Sequence, residues 1–110
     1  MANTFKLKTK ANVGVSTVGI YTAPAATTTV VIGITLSNTS GSGVNVGVAV
    51  SRTSTTQDDV NLLKNAPIPQ GSSLEFMGGN KVVLETNDQI NVNSDTNSSV
   101  DDALTIMEIT

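Results

Sequence analysis

The side chains best equipped for chemistry in this 110-residue chain are its nine acids. Glu75, Glu85 and Asp88 fall in one stretch, residues 66–92, APIPQGSSLEFMGGNKVVLETNDQINV, beside two prolines and a Gly-Gly pair. Two carboxylates held apart by a fixed distance would suit glycoside hydrolysis, one as acid and the other as base or nucleophile. Such sites also need a cleft and rings on which a sugar can stack, and the chain has no tryptophan. The plainer reading puts Glu75 and Glu85 on outward positions of adjacent strands, with all three acids facing water, where charge discourages edge-to-edge aggregation. Asp58-Asp59 and Asp101-Asp102 are the acidic doublets. They would suit a hard cation that takes six to eight oxygens, yet the alternating acids around a central glycine are missing. Solvated acids in loops where strands begin explain them as well.

Serines and threonines are plentiful, but the chain has no histidine to activate one as a nucleophile. It has no cysteine either, so disulfides and thiolate metal sites are closed to it. Gly78-Gly79 precedes Asn80-Lys81 and a strand-like run, whereas a phosphate loop opens a helix. Asn38-Thr39-Ser40 and Asn97-Ser98-Ser99 match the glycosylation sequon, as chance allows in so Asn-, Ser- and Thr-rich a chain. These residues predict a protein that is not an enzyme and uses neither cofactor nor metal.

Charge is unevenly placed. The net charge is −3, yet Lys6, Lys8 and Lys10 in the first ten residues face no acid there, and three further cations oppose nine acids in the remainder. A body this acidic repels nucleic acid. The three lysines alternate with Phe5 and Leu7, giving a period-2 strand with one solvated side. Two readings stay open: an arm that docks on an acidic partner, or an edge strand protected by lysines. MANTFKLKTK lacks the apolar core of a secretion signal, and no run approaches the roughly 18 apolar residues of a membrane span.

The elements that must position these residues are strands. Val, Ile and Thr dominate, and their branched side chains fit a pleated surface. TTTVVIGITLSN (27–38) alternates, with Val30, Ile32, Ile34 and Leu36 on one face and Val31, Gly33 and Thr35 on the other. After the turn cluster NTSGSG, Val44, Val46, Val48 and Val50 share a face opposite Asn45, Gly47 and Ala49. Short strands follow at DVNLLK, SSLEFM, KVVLE and QINVNS, the last with Ile90 and Val92 inward. Pro67 and Pro69 hold a connection extended. Gly78-Gly79-Asn80 and Thr86-Asn87-Asp88 read as turns, and DDALTIMEIT closes the chain with Ala103, Thr105, Met107 and Ile109 alternating. The expected fold is all-β: a single antiparallel β-sandwich or jelly-roll-like domain of about eight short strands over 1–110. Residues 1–12 form its basic N-terminal arm or edge strand.

Four blocks, MANTFKLKTK, IYTAPAATTTVVIGITLSNTS, LLKNAPIPQGSSLEFMGGNKVVLETNDQINVNS and ALTIMEIT, resemble small virion structural proteins of tailed bacteriophages, particularly those infecting marine bacteria and cyanobacteria. The pattern API-P-x-G-x-x-L-E-x-x-G-G-N-K-x-V-L-x-x-x-D-x-I-x-V at 66–92 is its most specific part. The resemblance implies a β-sandwich built into the virion after assembly in the host cytoplasm, most simply as a capsid decoration (cement) protein. A neck, tail or fibre component, or a host-surface or carbohydrate-binding module, is the alternative. The implied partners are the major capsid protein or another virion protein, and further copies of the chain, with a trimer favoured. Lys6, Lys8, Lys10, Phe5 and Leu7 are candidate contact residues, as are Gly47, Ala49 and Met77, where small or apolar side chains would lie at the surface.

Overall fold

The computed structural model describes residues 2–52, 56–76 and 81–110. Among the described residues nine strands run as β1 (Asn3–Val13), β2 (Val18–Thr22), β3 (Thr28–Asn38), β4 (Val44–Arg52), β5 (Val60–Ile68), β6 (Ser73–Phe76), β7 (Val82–Leu84), β8 (Asp88–Ser94) and β9 (Val100–Ile109). One sheet has the order β1-β9-β3-β6, with β7 also on β3, and the other has the order β2-β8-β4-β5. The expected sandwich is there, and every pairing is antiparallel.

The strand order resolves the architecture further. Folded at the β4–β5 connection, the chain pairs β4 with β5, β3 with β6 and β7, β2 with β8, and β1 with β9. That long double ribbon then rolls up, so that β9 also pairs β3 and β8 also pairs β4. A ribbon rolled in this way is a jelly roll. Strands β6 and β7 take one place in it: both run antiparallel to β3, at Ile34–Ser37 and Thr29–Val31 respectively. The chain therefore keeps its direction from one to the other, which a hairpin would reverse. The turn expected at Gly78-Gly79-Asn80 lies outside the described residues.

The core forms between the sheets as the alternation demands. Val44, Val46, Val48 and Val50 are buried on β4, with Ile90 and Val92 beside them on β8. One expectation needs correction. On β3 the register shifts between Val31 and Gly33, so Val31 shares the buried face with Ile34 and Leu36, while Val30 and Ile32 turn outward. A bulge adds one residue and flips every position beyond it. On β9 the expected alternation holds: Ala103, Thr105, Met107 and Ile109 share one face, the outer one, while Val100, Leu104 and Ile106 are buried.

Candidate functional site

β1 is the edge strand of its sheet, and its alternation runs opposite to the sense its lysines suggest. Register places Lys6, Lys8 and Lys10 across from Ile106, Leu104 and Asp102, all buried, so the lysines share the inner face of the sheet at its rim. Phe5 and Leu7 lie on the outer face, 69% and 63% exposed. They pair with Met107 and Thr105, and Met107 pairs onward with Val30 and thence Val83. An apolar row, Phe5–Met107–Val30–Val83, thus crosses the outer face of four strands.

The lysines are held unequally. Lys6 Nζ lies 2.8 Å from Glu108 Oε1, whose side chain is nearly buried. The other carboxylate oxygen accepts from the Tyr21 hydroxyl at 2.6 Å, and that hydroxyl lies 2.7 Å from Thr29 Oγ1. Tyr21 has one proton to give, so with Glu108 as its acceptor Thr29 is the donor in the second contact. Lys6 and Tyr21 together hold the Glu108 carboxyl below its usual range, and burial followed by the Glu108 bond pushes the Tyr21 phenol up to about 12. The network fastens β1 to the body at Lys6. Among the described residues no salt bridge engages Lys8 or Lys10.

The acids turn out to be framework in an unexpected way. Asp59, Asp88, Asp95 and Asp101 each accept a backbone N–H, from Arg52, Glu85, Asn45 and Asn12 respectively. Asn12 has φ 59 within the irregular end of β1, a conformation asparagine tolerates, and Asp101 takes the N–H that the ladder loses there. The expectation that the acids face water fails for two of them. Asp88 is fully buried, with Arg52 Nε at 2.9 Å, while Arg52 Nη2 reaches Glu85 at 2.6 Å. Asp102 is 3% exposed, and neither carboxylate oxygen has a hydrogen-bond partner. Burial alone raises its pKa to about 7. Among the described residues no three acids cluster as metal ligands would.

Gly47 and Ala49 on β4 are half-buried. A Cβ at Gly47 would meet Asn93 Oδ1 at 2.5 Å, so the side chain packed close to this face is the protein's own, from β8. Met77 lies outside the described residues. Of the sequon residues, Asn38 is 4% exposed, and its amide donates to Ser42 and Ile68 carbonyls, which leaves no room for a glycan.

Sequence reasoning missed a groove at the opposite edge of the sandwich from β1. It has a volume of about 420 Å³ and is lined by Val60 and Leu62 of β5, Val82 and Val83 of β7, and Arg52 and Asp58 among others. Val60 and Val83 are 50% and 54% exposed. Its two walls are far apart in sequence and come from different sheets, so no local pattern announces it.

No family model and no curated protein sequence matches the chain. Solved structures do. A chain of the T13 viral particle of infectious bursal disease virus is similar at TM-score 0.60 and 12% identity, over 96% of this chain and 30% of that one. A chain of the Gx strain of the same virus is similar at TM-score 0.52 and 11% identity, over 94% of this chain and 33% of that one. A protein of Bacillus endospore appendages, which form disulfide-linked pili, is similar at TM-score 0.54 and 11% identity, over 99% of this chain and 87% of that one. This chain therefore spans about a third of the length of the two viral chains, and at these identities the likeness is one of fold: a two-sheet, all-antiparallel β-sandwich.

Proposed function

We propose that this chain is a non-enzymatic structural component of a virus particle, and specifically a decoration (cement) protein on the outer shell of a tailed-phage capsid. The observation that carries the reading is the fold match itself. A jelly roll accounting for nearly all of this chain corresponds to under a third of a chain of the infectious bursal disease virus particle. The outer-face row of Phe5, Met107, Val30 and Val83, with the exposed Leu7 beside it, supports a role in binding protein, since apolar side chains aligned on a sheet face mark contact surfaces. Five of the acids support it as well: Asp59, Asp88, Asp95, Asp101 and Glu85 are engaged with backbone N–H groups or Arg52 rather than gathered in a cleft. The tailed-phage assignment rests on the four sequence blocks and the 66–92 pattern. On this reading the partners are the major capsid protein or another virion protein, together with further copies of the chain, with a trimer favoured. Its place is the virion.

A subunit of a non-viral filament is the second reading, favoured by the match over 87% of the spore-appendage chain. A chain without cysteine has no route to the disulfide linkage named for those pili. Quantitative mass spectrometry of purified particles, calibrated against the major capsid protein, tests the proposal. Hundreds of copies per particle support a shell protein. A dozen or fewer move the chain to the neck, tail or a fibre, and none overturns the viral reading.

A further inference from the structure

The two edges of the sandwich differ in a complementary way. At one edge β1 presents Phe5 and Leu7, both largely exposed, and the cations Lys6, Lys8 and Lys10. Glu108 neutralises one cation through Lys6; Lys8 and Lys10 make no salt bridge among the described residues, with Asp101 and Asp102 near Lys10 and no acid near Lys8 but Glu108. At the far edge, β5 and β7 enclose the open groove lined by Val60, Leu62, Val82 and Val83. The charged groups in its lining, or one residue or one polar contact away, are Asp58, Asp59, Glu85 and Asp88 against Arg52 and Lys81, leaving two negative charges. Arg52 is already held by Glu85 and Asp88, so the acid at the mouth is not offset locally by a free guanidinium.

We infer that the occupant of the groove is β1 of a second copy of this chain, which makes the contact head-to-tail. Each molecule carries both halves of the contact on opposite edges. Two β1 strands set against each other would instead crowd six lysines together, a like-charge arrangement that destabilises strand pairs. An interface joining unlike surfaces closes into a ring if the rotation per subunit permits and otherwise extends as a filament. The inference rests on the structural reading above only in taking the chain to work by binding protein; it holds whether or not the chain resides in a particle.

Two substitutions at exposed positions test it without touching the core: Leu7→Asp on β1 and Val60→Asp in the groove, 63% and 50% exposed in the parent chain. Sedimentation velocity should show the wild type assembling with concentration, and assembling less readily as salt screens the facing charges. Each variant alone should need at least about tenfold more protein to assemble. Mixed in equal amounts, they should form a dimer and nothing larger, because Val60→Asp still offers β1 and Leu7→Asp still offers the groove. Circular dichroism of each variant checks that it remains folded. A wild type that stays monomeric, variants that assemble like it, or a folded mixture that gives no dimer overturns the inference. Should either variant unfold, Phe5→Asp and Val83→Asp, at positions 69% and 54% exposed, replace them with the same three outcomes. Particle mass spectrometry separates this from the viral reading: copies present in particles with a monomeric protein in solution fail the interface alone, and assembly without presence in particles fails the virion alone.

Discussion

Tyr21 is the chain's one tyrosine, and there is no tryptophan, so phenolate absorbance reports on a single buried hydroxyl. Burial and the bond to Glu108 raise its pKa from 10.0 to about 12. The neutral phenol is therefore favoured in the folded protein, and the stability this contributes is present below pH 10 and is lost as pH rises through the folded value. Alkaline titration should show the phenolate appearing near pH 12, or abruptly with unfolding; a smooth midpoint near 10 would mean the network is open in solution. Tyr21→Phe removes the donor to Glu108 and strands Thr29, at a cost of roughly 1–3 kcal/mol in denaturant unfolding. Asp102 acts in the opposite pH range. Its pKa rises from 3.8 to about 7 because the carboxyl is buried without a partner, and Lys10, across the β1–β9 ladder, makes no ion pair with it. A raised carboxylate pKa means the folded state holds its proton longer than the unfolded one. The stability that Asp102 contributes should be fully present below the unfolded value and be lost between about pH 4 and 7, by up to roughly 4 kcal/mol, while Glu108, whose carboxyl is held low, contributes in the opposite sense in acid. In Asp102→Asn that slope should vanish, leaving the variant the more stable at pH 8. Parallel stability curves for the two proteins would contradict it.

At the scale of the element, two glycines in strands next to the core make opposite predictions. Gly33 sits at the β3 bulge, and a Cβ there would meet nothing within 4 Å. Gly33→Ala should stabilise by about 0.5–1 kcal/mol by lowering the freedom of the unfolded chain. Gly47→Ala must displace Asn93, since its Cβ would lie 2.5 Å from Oδ1, and forcing that side chain off its rotamer should offset the gain by a similar amount. Urea midpoints of the two variants should move in different directions, or Gly33 alone should move. The same pair shows what the sequence could disclose. The regular alternation of β4 announced which residues face inward, because Val44, Val46, Val48 and Val50 hold every second position, and on β8 Ile90 and Val92 did the same between the polar Asp88 and Ser94. β3 offered apolar residues at both phases, and only the bulge between Val31 and Gly33 decides between them. On β9 the alternation was legible but not which face lies inward: Leu104 and Ile106 are apolar, but so are Met107 and Ile109, and both Asp102 and Glu108 fall on the inner face. For β1, lysines read as the wet side, yet at the rim of a sheet long cationic stems can lie inward with their heads at the edge. The groove was illegible for a different reason: Val60 and Val83 line one groove only because the rolled ribbon sets β5 and β7 on either side of it.

The whole molecule is closed by its most distant pairing. Ala2 and Thr110 exchange both backbone bonds, N–H to O at 3.3 and 3.0 Å, and the β1–β9 ladder continues from there. That pairing comes last in the rolled ribbon and spans nearly the full chain, and such non-local contacts slow folding because the loop must be closed before any contact rewards it. Two residues that exchange both bonds are the pair a two-residue turn can join. A permutant linking residue 110 to residue 2 through Asn-Gly, and opened between the exposed Gln70 and Gly71, converts β1–β9 into a hairpin. It also brings β9 nearer to β3 and β2 nearer to β8 along the chain, while moving β6 away from β3. The opened β5–β6 connection joins strands of different sheets that do not pair, so no ladder is cut. The permutant should keep its stability to within about 1 kcal/mol and refold roughly tenfold faster in stopped-flow dilution from denaturant. If it refolds at the parent rate while equally stable, closing β1 onto β9 is not the slow step, and the pairing of β3 with β6 and β7 takes its place as the late event.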